Sequence, residues 1–240
     1  MKTTSEIRIG AHRGAMCHAT ENTVAAFEKA IEFGTYRTEF DVQRTSDGEI
    51  VLMHDLTVDR TTHGSGAVAE MTLADLRQLG MDGGETIPTL TEALACLRGR
   101  CRALIEFKQS DITEQVIDVI QRADMVDDCS LVAFDEDCIR LAKQVDPRIS
   151  RAFFFLKPGP FDAQSIIDEF DVNLVIVWPP AAVKEQIEDA KRCGLQVRCG
   201  FSDKMTYQES KDIFVRMVDM GVDEVSCGRP DWIARMIEEY

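Results

Sequence analysis

The stretch ALIEFKQSDITEQVIDVIQRADMVDDCSLVAF (103–134) carries the fold in miniature. Two apolar runs, ALIEF (103–107) and SLVAF (130–134), flank a segment in which Ile112, Val116, Ile117 and Ile120 recur at helical spacing. Parallel neighbours need a dozen or more residues to return to the same edge of a sheet, so strand, helix and strand at this separation read as one crossover unit. The rhythm continues downstream, with apolar runs starting at 151 (RAFFFL), 174 (LVIVW), 195 (LQVRC) and 223 (DEVSC). Upstream, IRIGAH (7–12) and TEFDV (38–42) bracket ENTVAAFEKAIEFG (21–34), which is apolar at Val24, Phe27 and Ile31 and closes with Gly34. Eight such runs predict an α/β chain closed into a (β/α)8 TIM-type barrel. The length of 240 residues fits one barrel domain spanning 1–240.

One interval breaks the rhythm, because 38–42 and 103–107 lie much farther apart than a single crossover requires. In EFDVQRTSDGEIVLMHD (39–55), two strand-like halves meet at Thr45, Ser46, Asp47 and Gly48, which is turn chemistry and predicts a hairpin. Residues 55–88 are rich in Gly, Thr and Asp with one short helical pattern at 72–79, as expected of a small insertion on one barrel face after the second strand.

A net charge of -15 and a pI near 4.7 argue against nucleic acid and against stable association with an anionic membrane. An anionic substrate must then be received by a few local cations. The eight cysteines, at 17, 96, 101, 129, 138, 193, 199 and 227, form no Cys-x-x-Cys pair and read as reduced thiols. Neither a signal peptide nor a run of 18 apolar residues is visible, so a cytoplasmic protein is expected. The sequence leaves a homo-oligomer open.

Glu39 and Asp41 sit two apart on a strand and share one face. By themselves they fit the polar face of an exposed ribbon as well as a site. With the hairpin turn centred between Asp47 and Gly48, His54 is expected opposite Asp41. Glu106 stands inside an apolar run, where an unpaired carboxylate carries a desolvation cost of several kcal/mol. Lys108 on the same face offers a structural ion pair; a divalent ion held by Glu39, Asp41 and Glu106 satisfies all three acids at once, with oxygen donors suited to Ca2+ or Mg2+. His12 ends the first strand, and catalytic groups converge at the C-terminal ends of barrel strands. Arg13 and Lys108 supply the local cations. His18 and His63 read as loop residues.

Taken together, AHRG (11–14), ENT (21–23), EFD (39–41), TSDGEIVLMHD (45–55), DRTTHGSG (59–66), IPTL (87–90) and IEFK (105–108) resemble the glycerophosphodiester phosphodiesterase family, closely over the first 110 residues and thereafter mainly through strand count and GRPDW (228–232). The resemblance implies a metal-dependent hydrolase of small phosphodiesters. It places the metal ligands at Glu39, Asp41 and Glu106, the acid/base pair at His12 and His54, and the phosphate-contacting cations at Arg13 and Lys108. Two departures bear on the alcohol. A VWTVN-like segment is here VRCGFSD (197–203), with Gly200 at the aromatic position, and a TD-x-P-like ending is here Cys227-Gly228-Arg229-Pro230. The first predicts a wider pocket and the second replaces an acidic side chain with none; together they suit a sugar or larger polyol as well as glycerol, with Phe201, Trp178 and Phe155 as lining candidates. Two alternatives use the same fold: a phospholipase D-like lyase that stops at a cyclic phosphate, and a noncatalytic barrel that binds a phosphorylated ligand. A metal-enolate aldolase or isomerase has no need of two histidines facing three carboxylates.

Overall fold

The computed structural model describes residues 7–155 and 161–240. Its strands are β1 (Arg8–His12), β2 (Arg37–Arg44), β3 (Ile50–Leu52), β4 (Arg102–Phe107), β5 (Cys129–Ala133), β6 (Ser150–Phe155), β7 (Leu174–Val177), β8 (Gln196–Gly200) and β9 (Glu224–Cys227). The order β1-β9-β8-β7-β6-β5-β4-β2 closes through a β1–β2 pairing, so eight parallel strands form the expected barrel; β3 is the antiparallel hairpin partner of β2. All eight apolar runs became strands. Leu156, the last residue of RAFFFL, lies outside the described residues.

The helices are α1 (Val24–Glu32), α2 (Leu73–Gln78), α3 (Leu90–Leu97), α4 (Thr113–Arg122), α5 (Glu136–Val145), α6 (Ala163–Phe170), α7 (Lys184–Arg192), α8 (Tyr207–Met220) and α9 (Pro230–Glu239). Several of their starts follow from capping chemistry. Thr23 accepts from the Ala26 N–H, while Thr89 with Glu92 and Thr206 with Glu209 form reciprocal capping boxes. Among the described residues no helix is long and apolar enough to cross a membrane. All eight cysteines are free thiols, five of them buried.

Strand alternation divides two cores. Outward positions such as Phe40, Ile105 and Leu131 pack beneath the helices, with the Phe40 ring 5.2 Å from that of Phe27 on α1. The barrel interior is itself divided. Leu104, Val132, Ala152, Leu174 and Ile176 fill the side formed by β4 to β7 with apolar bulk, whereas Arg37, Arg198 and Glu224 join in ion pairs on the other side. The insertion has a small core of its own, built from Val51, Met53, Val58, Val68, Leu76, Met81 and Ile87.

The hairpin register differs by one residue from the sequence expectation. Thr45 donates its N–H to the Glu49 carbonyl, and the ladder runs Arg44–Ile50, Gln43–Val51 and Val42–Leu52. The turn is therefore centred on Asp47 and has three loop residues, a geometry allowed because Gly48 takes φ +92°. Met53, not His54, stands opposite Asp41 and donates its N–H to the Asp41 carbonyl at 3.1 Å. A one-residue slip exchanges the faces of a strand, so His54 reaches its place by the chain turning after β3 and not by ladder pairing.

Phe40 is fully buried between the barrel and α1. Phe40→Ala is expected to cost about 3–5 kcal/mol, seen as a lower urea midpoint with an unchanged slope; a cost below about 1 kcal/mol would mean that α1 is not held by this contact.

Candidate active site

Parallel register sets the centre of the site. His12 of β1 pairs with Glu39 of β2, and two residues further along β2 Asp41 pairs with Glu106 of β4, so two neighbouring same-face rungs across three strands carry an imidazole and three acids. Ligand oxygens of Glu39, Asp41 and Glu106 all lie within 4.8 Å of one another, and all three residues are buried. Lys108 Nζ contacts Glu106 Oε1 and lies 2.9 Å from Asp41 Oδ1. The ion pair open to Lys108 on sequence grounds is therefore present, but it does not balance the acids. Burial, with Glu39 and Asp41 alongside, pushes the Glu106 carboxyl up to about 7 despite Lys108, and burial together with Asp41 raises Glu39 as well. Among the described residues Glu39 Oε1 accepts no hydrogen bond. Buried acids in excess, hard oxygen donors and an orphaned carboxylate oxygen fit a divalent cation.

The loop from 13 to 22 wraps this cluster in a costly conformation. Arg13 and Asn22 adopt φ +52° and +57°, uncommon for residues with side chains, and the Asn22 N–H donates to the Arg13 carbonyl at 3.0 Å. In return the Arg13 N–H donates to Glu39 Oε2 at 3.1 Å, Arg13 Nε lies 3.4 Å from Asp41 Oδ2, and Asn22 Nδ2 donates to the same Asp41 oxygen at 2.9 Å. Gly14 has no room for a side chain, since a Cβ there would lie 2.8 Å from the Ala26 backbone carbon. The start of α1 is thus pressed against the site.

His12 Nδ1 lies 2.8 Å from Asp203 Oδ2, and its Nε2 lies 3.9 Å from Glu39 Oε2. Burial would lower its pKa, but the Asp203 hydrogen bond and the Glu39 charge outweigh that and raise it. His54 Nδ1 lies 2.7 Å from Asp55 Oδ1. The chain on either side of His54 is gripped by Gln43, whose amide donates to the Met53 and Asp55 carbonyls at 2.9 and 2.6 Å. From Asp55, ion pairs run through Arg60 to Glu21 and on to Arg13. Arg60 draws the Asp55 carboxyl down to about 2. Among the described residues no hydrogen bond or ion pair joins His54 directly to the three acids; this chain of charges connects them.

The glycerophosphoryl diester phosphodiesterase family model matches residues 12–231. The chain belongs to that family. Membership makes it a phosphodiesterase, built on the family's barrel. It is 27% identical over 242 residues to a glycerophosphodiester phosphodiesterase of Caldanaerobacter subterraneus, covering 95% of this chain and 97% of that one. The crystal structure of a glycerophosphodiester phosphodiesterase from Agrobacterium tumefaciens superposes with a TM-score of 0.83 at 26% identity, covering 95% and 99% of the two chains. An Oleispira antarctica phosphodiesterase, solved in complex with the product sn-glycerol-3-phosphate, shares the fold with a TM-score of 0.83 at 24% identity, over 99% and 98%.

In this phosphodiesterase Arg13, Glu39, Asp41, Glu106 and Lys108 all meet, with His12 at their edge. The lining expectations fare differently. Phe201 is 4% exposed and packs in the core beneath the helices, so it presents no surface to a ligand. Phe155 packs edge-on against Phe161, while Trp178, just past β7, is 40% exposed. Gly200 leaves space, since a Cβ there would meet nothing closer than Ser226 Oγ at 3.4 Å. Gly228 does not leave its place without an acid. Its Cβ would lie 2.4 Å from Met16 Cγ and 2.8 Å from Asp203 Oδ1, so the volume is filled and an acid is supplied there from the loop after β8. Glu21, Asn22, Arg60 and Asp203 escaped the sequence reading of the site; Glu21, Asn22 and Arg60 lie in the quoted ENT and DRTTHGSG segments, but nothing local marks Asp203.

A carboxyl with a folded pKa above its unfolded value binds its proton more tightly when folded. Metal-free stability should therefore fall as pH rises from about 4.5, the ordinary value, to about 7, the raised one. Glu106→Gln is expected to flatten that slope and to leave the metal-free protein more stable than the parent at alkaline pH. Urea midpoints across the pH range measure this, and an unchanged slope would assign the titration to another group.

Proposed function

We propose that this chain hydrolyses glycerophosphodiesters to a glycerol phosphate and a free alcohol, with Ca2+ or Mg2+ held by Glu39, Asp41 and Glu106. The observation that carries the proposal is the meeting of three buried carboxylates within 4.8 Å with Lys108, Arg13 and His12 at one end of the barrel. The bound cation would contribute Lewis-acid stabilisation of the charge that develops on the phosphoryl oxygens.

The protein's own groups account for the rest. Arg13 and Lys108, both half-buried and pinned by acids, receive nonbridging phosphate oxygens and offset the repulsion of an acidic surface. His12 and His54 divide the proton transfers. One takes a proton from the attacking water as its oxygen bonds to phosphorus; the other gives a proton to the alcohol oxygen as its bond to phosphorus breaks. A groove bordered by Lys108, Ser110, Phe134 and Asp135 opens beside the Lys108 cation. With Trp178 exposed at the same end of the barrel and Gly200 leaving space, it offers the alcohol a partly apolar seat that admits groups larger than glycerol, including a sugar or polyol. The product complex of the Oleispira relative supports glycerol phosphate as the retained half.

Chelation of divalent ions is expected to abolish release of alcohol from glycerophosphodiesters, and added Mg2+ or Ca2+ to restore it; full activity in chelator would refute the metal assignment. His12→Ala and His54→Ala are each expected to lower kcat by about 10²–10⁴-fold with unchanged thermal unfolding. A loss below tenfold in either would remove that histidine from the proton transfers.

A further inference from the structure

We propose that Asp203 is a positioning residue for His12, fixing the ring tautomer and aiming Nε2 into the site. The inference rests on the hydrolytic role proposed for His12. His12 ends β1, and Asp203 follows β8, 191 residues away, so nothing in the local chain requires them to meet. Yet Asp203 Oδ2 lies 2.8 Å from His12 Nδ1, and the Asp203 side chain is only 15% exposed. Its other oxygen, Oδ1, accepts the N–H of Gly228. Each carboxylate oxygen therefore has its own donor, one on a strand end and one on a ring. The seat is shaped for this acid, because a Cβ at position 228 would meet Asp203 Oδ1 at 2.8 Å and Met16 Cγ at 2.4 Å. The Cys17 N–H donates to the Gly228 carbonyl at 3.1 Å, tying the same strand end to the loop that carries Arg13.

This arrangement fixes which nitrogen can act. A carboxylate only accepts, so neutral His12 must carry its proton on Nδ1, leaving the Nε2 lone pair free on the side facing Glu39, 3.9 Å away. Asparagine at 203 has the same shape but one acceptor. The backbone N–H of Gly228 is a fixed donor, whereas the imidazole can change tautomer. The amide oxygen therefore turns to Gly228 and the amide nitrogen to His12, which drives the proton to Nε2. Asp203→Asn should consequently harm catalysis at least as much as Asp203→Ala, the reverse of the order expected from a role in packing alone.

Nitrogen-15 NMR of the neutral histidines, with the His12 signals identified from His12→Gln, reads the tautomer directly in the full-length protein. Protonation on Nδ1 is expected in the parent and on Nε2 in Asp203→Asn. Alongside it, kcat for glycerophosphodiester hydrolysis should fall about 10- to 100-fold in Asp203→Ala and by no less in Asp203→Asn, with KM within twofold of the parent. An unchanged tautomer in Asp203→Asn overturns the proposal, as does an Asp203→Asn enzyme with kcat near the parent's. Absence of hydrolysis by the parent would defeat the proposed function, while the NMR result would still decide whether Asp203 sets the His12 tautomer.

Discussion

Three carboxylates whose oxygens lie within 4.8 Å of one another, buried at one end of a barrel, are the constraint around which this structure is arranged. Like charges at that separation in a poorly polarisable interior cannot all remain ionised without positive charge close by. The surroundings answer that demand in layers. Lys108 touches two of the acids, and Arg13 reaches a third contact from a loop held in a left-handed backbone conformation. Beyond them Glu21 and Arg60 alternate in sign out to Asp55 and His54. Even so, Glu106 remains strongly shifted toward its neutral form, and that excess of buried acid suits a divalent ion.

Keeping such a cluster has a structural cost that the rest of the chain offsets. The left-handed residues Arg13 and Asn22 each cost on the order of 1 kcal/mol or more, and they persist because α1, Gly14 and Thr38 leave the loop no alternative path. Interior ion pairing of Arg37, Arg198 and Glu224 below the site continues the polar column down the barrel. The apolar work of folding is done elsewhere, beneath the helices and along the β4 to β7 wall.

Much of this was legible in sequence where one residue type contradicted its surroundings. Glu106 inside an apolar run demanded a partner, and the recurring βα spacing demanded a closed barrel. What escaped had no local contradiction to reveal it. Gly48 serves a two-residue or a three-residue turn equally well, so the hairpin register could not be read, and with it the placement of His54. Asp203 sits in an ordinary polar loop and acquires meaning only when barrel closure brings β8 and β9 beside β1. Gly228 shows the limit of reasoning from a missing side chain: a glycine reveals that no Cβ is present, not which neighbour has moved into its volume. Phe201 read as a lining candidate for the complementary reason, since its position just past a strand end does not specify which way the ring turns.

The divided interior of the barrel has a consequence for how such an enzyme diversifies. Nearly every group that touches the acidic centre comes from β1, β2, β4 and the loops and hairpin attached to them, whereas the wall facing them is apolar packing topped by aromatic side chains. Under the proposed function, chemistry and selectivity fall on opposite arcs of one cylinder. On that reading, substitutions on the aromatic arc would change which alcohol fits without disturbing the charge balance. Asp203, reaching across from β8 to His12, is the point at which the two inheritances are tied together.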